Sequence, residues 1–184
     1  MSTIQLIKSD YSKYKKYGGN FFSIVFLTQG FWAIFQYRIA NYFFRNLKLV
    51  GVRQLILFIL LLWKKGIEIC AGISIPCSVE IGHSFYVGHF GGIIINTNSK
   101  IGNNCNFSQG VTIGVSGIGE NRGVPTIGDN VYIGANAVVS GKIYIEDNVL
   151  IGACSLVNSN AEANAIYLGV PAIKISNRGS KEYI

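Results

Sequence analysis

One aliphatic position recurs every six residues through the last two-thirds of this chain, and that spacing constrains its fold more than anything else in it. The first set is Ile75, Ile81, Val87 and Ile93. A two-residue slip precedes Ile101, Phe107 and Ile113, and a longer interruption precedes Ile127, Ile133, Val139, Ile145, Ile151 and Val157. Four residues after an anchor comes a second small or apolar position: Val79, Phe85, Cys105, Val111, Val131, Ala137, Ile143, Val149 and Ser155. A period of six fits neither an α-helix, with about 3.6 residues per turn, nor a heptad, but it is a multiple of the strand period. Self-similarity of this kind marks a solenoid, here a mainly-β hexapeptide β-helix. Each unit supplies a short strand and a turn, three units close a triangular coil, and stacked coils pair in parallel. The anchors point inward. The Gly that often follows, as in Ile81-Gly82 and Ile133-Gly134, is expected to relieve strain at the turn.

The period breaks at 115–126, where Gly, Ser, Asn and Pro accumulate, so this stretch reads as a loop thrown out from a turn. Insertions in a rigid solenoid are common places for binding. Cys70, Cys77, Cys105 and Cys154 form no CxxC pair, and only two histidines could join them. No metal site is therefore expected, and the cysteines read as structural.

The first 66 residues are different in kind. They hold ten Lys and Arg against one acid, Asp10, while 67–184 hold six basic residues against eight acidic ones. The composition changes near Gly66, which sets expected boundaries: a helical, apolar, cationic segment 1–66, a β-helix domain 67–176, and a tail 177–184. The longest unbroken apolar run, Leu55 to Trp63, is nine residues, well short of the roughly 20 a spanning helix needs. Three readings of the segment stay open. One is a helical cap on the domain or an oligomer interface; a second is a set of helices lying on an anionic membrane surface, with Trp32, Trp63, Lys64 and Lys65 as anchors; the third is re-entrant or spanning helices. Nucleic acid is not an expected partner, because the aromatics sit in apolar runs. No secretory leader opens the sequence, so the expected location is cytoplasmic, at the inner face of the cytoplasmic membrane.

General acid–base chemistry needs a side chain that titrates near neutral pH. Histidine is the usual base, and only His83 and His89 exist. Three stretches carry a family resemblance. Val87-Gly-His-Phe-Gly-Gly-Ile93 resembles the catalytic-histidine stretch of bacterial serine acetyltransferases. Ile127-Gly-Asp-Asn-Val-Tyr-Ile-Gly-Ala135 resembles their acetyl-CoA groove, and Gly169-Val-Pro-Ala172 with Lys174 resembles the ending of hexapeptide-repeat acyltransferases. The resemblance, which extends to capsular polysaccharide O-acetyltransferases, covers about 67–176. It implies a left-handed β-helix, a homotrimer with active sites between subunits, acetyl-CoA as co-substrate, and His89 as general base. It places Ala135 and Ala153 on the pantetheine arm, and Asn158, Ser159 and Lys174 near the nucleotide end.

The chain also departs from the serine acetyltransferase pattern. Ser74 stands where the family has the aspartate that orients its histidine, Gly88 replaces an aspartate before the histidine, and Arg122-Gly123 replaces an Arg-His pair in the loop. Glu120 is the first candidate to orient His89, within its own chain or across a subunit boundary, and acceptor contacts fall to Asn121, Arg122 and His83. With the amino-acid grip incomplete, the first functional reading is O-acetylation of a sugar or glycan in surface-polysaccharide biosynthesis. A serine O-acetyltransferase of cysteine biosynthesis is the alternative, and a non-catalytic binding module a third reading.

Overall fold

A computed structural model describes all residues, 1–184. Five coils follow the period read from the sequence. β1 (Ile73–Ser74), β2 (Glu80–Ile81) and β3 (Tyr86–Val87) make the three sides of the first. The second is β4 (Ile93–Ile95), β5 (Lys100–Ile101) and β6 (Asn106–Phe107), and the third β7 (Thr112–Gly114), β8 (Thr126–Ile127) and β9 (Tyr132–Ile133). β10 (Val138–Ser140), β11 (Tyr144–Ile145) and β12 (Leu150–Ile151) form the fourth. β13 (Leu156–Val157) and β14 (Ile166–Gly169) belong to the fifth, and β15 (Ala172–Ser176) turns back antiparallel to β14. Strands one coil apart pair in parallel, giving three flat sheets in a left-handed β-helix.

The core is the predicted one. All thirteen anchors and all nine second positions are buried, from Ile75 to Val157 and from Val79 to Ser155. Cys105 is fully buried, and burial pushes its thiol up to about 12; Cys70 and Cys154 are exposed.

The glycines after the anchors do a different job from the expected one. Left-handed turn residues are largely asparagines: Asn104, Asn130, Asn148 and Asn164 have φ between 56° and 59°. Their side chains form a ladder, Asn104 to Asn130 at 2.7 Å, Asn130 to Asn148 at 3.0 Å and Asn148 to Asn164 at 3.0 Å. Asparagine tolerates this backbone, and the ladder supplies local hydrogen bonds in return. The glycines serve coil stacking instead. A Cβ at Gly102 would come within 2.6 Å of the Gly128 carbonyl carbon in the next coil.

The N-terminal segment closes the open end of the prism. α1 (Thr3–Lys16) starts at a capping box between Ser2 and Gln5, a π-helical turn (Ser23–Leu27) follows, and α2 (Gln29–Asn46) lies against the first coil. α3 (Val50–Ala71) continues five residues past the compositional break at Gly66 and ends on Gly72, whose φ is 65°. An uncovered first coil would expose unpaired strand edges. Here Tyr14 donates to the Val87 carbonyl at 2.8 Å, Tyr37 to Val79 at 2.8 Å, and Arg38 to Ile81 at 2.7 Å. The Arg38 guanidinium also pairs with buried Asp10 at 2.8 Å. No helix is long and apolar enough to cross a membrane.

Candidate active site

The turns after β3, β6, β9 and β12 stack along one edge of the prism. Parallel pairing puts Val87, Phe107, Ile133 and Ile151 in one register. Two residues beyond each stand His89, Gln109, Ala135 and Ala153, so these four form a column. Their backbone N–H groups have no acceptor within the chain. At the top, Gly91 and Gly92 take φ of 102° and 68°, and Gly91 donates to the Ala71 carbonyl at 2.7 Å while accepting from Gly110 at 2.8 Å. Only glycine adopts such a pair of angles cheaply. That turn leaves the His89 side chain exposed and without an intrachain hydrogen bond.

Below His89 runs a cavity of about 620 Å³. Ser108 and Gln109 lie near its head, and Gly134, Ala135, Gly152 and Ala153 line it further along the column. The column crosses three coil steps, about 14 Å at the usual strand spacing. The floor is bare main chain: a Cβ at Gly134 would stand 2.6 Å from the Ala153 nitrogen, and one at Gly152 would run into Leu168. An extended thiol arm with amide carbonyls fits such a floor, since the unpaired N–H groups are the donors those carbonyls need.

The far wall is a strap formed by the tail. Ser180 donates from its N–H to the Asn148 carbonyl at 3.0 Å and from its hydroxyl to Asn130, beside the asparagine ladder. The Tyr183 carbonyl then accepts from Asn106 at 2.8 Å, and its ring lies 5.0 Å from that of Tyr132. Tyr183, Tyr132 and Ile175 thereby face the cavity. Sequence reasoning missed Ser108, Gln109, Tyr132 and Tyr183. The first two were findable by stepping one whole coil from Gly88 and His89.

Of the expected site residues, the structure brings His89, Ala135 and Ala153 together. His83 is elsewhere: its ring is 3.1 Å from the Ser84 hydroxyl, and it does not line the cavity. The reason is geometric. Six residues make one side of the prism, so the next repeat lies at a different edge. Asn158 and Ser159 follow β13 on yet another edge, and Lys174 pairs with Glu162 at 2.6 Å, which raises the lysine pKa and lowers that of the carboxyl. Glu120, Asn121 and Arg122 form an exposed turn outside the cavity, so Glu120 does not reach His89 of its own chain. Ser74 donates to Glu68 at 2.7 Å. Burial pushes the Glu68 carboxyl up, but hydrogen bonds from Lys65, Ser74 and Lys64 outweigh it and hold the group at about 2.

An exposed imidazole at the head of a groove floored by free amides defines a thioester-dependent acyltransferase on a β-helix. The comparisons agree. The family model for bacterial transferase hexapeptides (six repeats) matches residues 125–159. A serine acetyltransferase of Staphylococcus epidermidis is 32% identical over 152 residues, covering 83% of this chain and 68% of that protein. One from Staphylococcus aureus is 31% identical over 150 residues, covering 82% and 67%. Among solved structures, a serine acetyltransferase in complex with cysteine superposes with a TM-score of 0.82 at 28% identity, over 95% of this chain and 70% of that one. A serine acetyltransferase in complex with CoA gives 0.79 at 26% identity, over 95% and 70%. That of Neisseria gonorrhoeae in complex with serine gives 0.79 at 27%, over 95% and 69%. The chain belongs to the serine acetyltransferase family of hexapeptide-repeat acyltransferases. It is an acetyl-CoA-dependent O-acetyltransferase. The expected transfer to a sugar or glycan in surface-polysaccharide biosynthesis is overturned by these relatives, all of them serine acetyltransferases.

Proposed function

We propose that the protein transfers the acetyl group of acetyl-CoA to the hydroxyl of serine, giving O-acetylserine for cysteine biosynthesis, with His89 as general base. The observation that carries this reading is the column of His89, Gln109, Ala135 and Ala153 along one cavity. The His89 imidazole takes the serine hydroxyl proton as the oxygen attacks the thioester carbonyl. N–H donors at the head of the column hold the oxyanion. The tetrahedral centre collapses, the C–S bond breaks, and the proton passes from His89 to the departing thiolate. Ala135 and Ala153 donate to the pantetheine amides, with Tyr183 closing the side.

Assembly completes the site. We assign the chain a homotrimer in which the 115–126 loop of a neighbour reaches the His89 cavity with Glu120, Asn121 and Arg122. Ile118 at the loop tip is 92% exposed, as expected of a side chain that packs only in an assembly. The test is thiol release from acetyl-CoA with serine against a panel of sugars. Serine should release thiol, and His89→Ala should keep acetyl-CoA affinity while turnover drops about 10²–10⁴-fold. His83→Ala should change little. No serine-dependent release, or near-normal turnover of His89→Ala, refutes the reading; a monomer by sedimentation refutes the trimer.

A further inference from the structure

α3 is apolar on both faces. Its inner face packs Leu60, Ile67 and Ala71 against the rest of the chain. Its outer face carries Leu55, Phe58, Ile59, Leu62 and Ile69, each between 56% and 84% exposed. At 1.5 Å rise per residue this outer stripe is about 21 Å long. A helix apolar all round is one that something covers.

The stripe is not isolated. Beside it lies an entirely apolar groove of about 390 Å³, lined by Val25 and Phe31, Trp32, Phe35, Trp63 and Ile67. α3 forms one rim and the π-helical turn the other, where Phe21, Phe22, Phe26 and Leu27 are exposed. Three surfaces thus adjoin: a helical stripe, an apolar groove and an aromatic knob.

We propose that this face seats on the surface of an anionic lipid bilayer, with the stripe and knob at acyl depth and an acyl chain of the lipid in the groove. Charge selects this occupant. From residue 1 to the end of α3, ten Lys and Arg stand against two acids, Asp10, which is buried against Arg38, and Glu68, which pairs with Lys64 and Lys65. Lys48, exposed, precedes α3, and at the other end Lys65 stands on the exposed side near Leu62 and Ile69, sharing Glu68 with Lys64 at 2.6 and 3.0 Å, so that end carries two cations to one carboxylate and both ends of the stripe are net positive. A second copy of the same face would bring like charges together around an apolar contact; anionic headgroups bring the opposite sign. The helices lie in the interface and do not cross it, in keeping with their length and polarity. The His89 cavity, on the β-helix, stays in water.

The chain reports on the groove directly, because its only two tryptophans, Trp32 and Trp63, both line it. Full-length protein is mixed with vesicles of phosphatidylcholine alone or with phosphatidylglycerol, then followed by flotation and by tryptophan emission. Expected are co-flotation with the anionic vesicles, a blue shift, and quenching by brominated acyl chains. Lys48→Ala with Lys65→Ala should lower partition by roughly 10- to 30-fold and reduce its salt sensitivity. Phe58→Glu with Leu62→Glu should abolish flotation while leaving far-ultraviolet circular dichroism and acetyl transfer unchanged, since neither side chain touches the cavity under His89. Failure of wild type to float with anionic vesicles at low salt overturns the proposal. So does equal binding of wild type and the Glu variant, or absence of bromolipid quenching in floated protein. Dissociation of an oligomer by the Glu variant, with no wild-type flotation, would assign the face to a second copy instead.

Discussion

Arg38→Met tests how the helical layer is locked onto the β-helix. Arg38 is 3% exposed, and its guanidinium meets both oxygens of Asp10, at 2.8 and 3.1 Å. It also donates to the carbonyls of Ile81 at 2.7 Å and Gly82 at 2.5 Å, while Asp10 accepts the Phe85 N–H at 2.8 Å. Methionine keeps an apolar stem of similar length and removes every donor. Breaking a buried pair from one side costs about 3–5 kcal/mol, because the remaining charge is left buried. The stranded Ile81 carbonyl adds about 1 kcal/mol or more, so the expected loss is about 4–6 kcal/mol, a large part of a typical domain's stability. Burial already pushes the Asp10 carboxyl above its ordinary 3.8, against hydrogen-bonding and charge from Arg38. Without Arg38 it rises further. A carboxyl raised in the folded state contributes stability fully below its unfolded pKa and loses it as pH rises through the folded value. The defect of Arg38→Met relative to wild type should therefore be smaller at pH 4.5 than at pH 7.5, and Asp10→Asn in the same background should recover part of it. Urea unfolding followed by circular dichroism at fixed protein concentration measures both. A loss under about 1 kcal/mol at pH 7.5, or an equal loss at the two pH values, would refute the account of Asp10 as the stranded charge.

Tyr183→Ala removes the wall of the cavity that stacks on Tyr132; KM for acetyl-CoA should rise about 2- to 10-fold with kcat nearly unchanged, the scale of one aromatic pair. Gly134→Val puts a branched side chain where the Ala153 nitrogen lies 2.6 Å from any Cβ, so calorimetry should show CoA binding lost and unfolding a drop of about 1–3 kcal/mol. Lys13 is buried, and burial lowers its pKa to about 8 from 10.5. The unfolded chain binds more protons between those values, so this group makes stability climb with pH from about 8 to 10.5. Lys13→Met should flatten that slope in melts run across the window.

The period of six was legible because it is written in side chains that must point inward. Phe107 and Cys105 kept the phase where the aliphatics lapsed, and both are buried. The edge carrying the chemistry was legible only in part, because the eye compares neighbouring repeats while the prism compares neighbouring coils. His83, six residues from His89, lies at another edge; Gln109, Ala135 and Ala153, in register with it, share the cavity. Glycine misled for a related reason: the same residue eases a turn or admits a neighbouring backbone, and here the asparagines had taken the first task. The strap has no period at all. Its place depends on Ser180 finding Asn130 and Asn148, residues fifty and thirty-two positions upstream that a coil ladder brings together. The departures at Ser74, Gly88 and Arg122-Gly123 point away from an amino-acid acceptor in sequence, yet they do not decide the acceptor. In the folded chain the whole Glu120–Arg122 turn stands outside the His89 cavity, so these residues do not grip an acceptor there within one chain. In the proposed trimer the acceptor would be gripped at the joint between chains, whereas the groove for the acyl donor is lined by one chain. That division is why the donor half of the reaction was legible in a single sequence and the acceptor half was not.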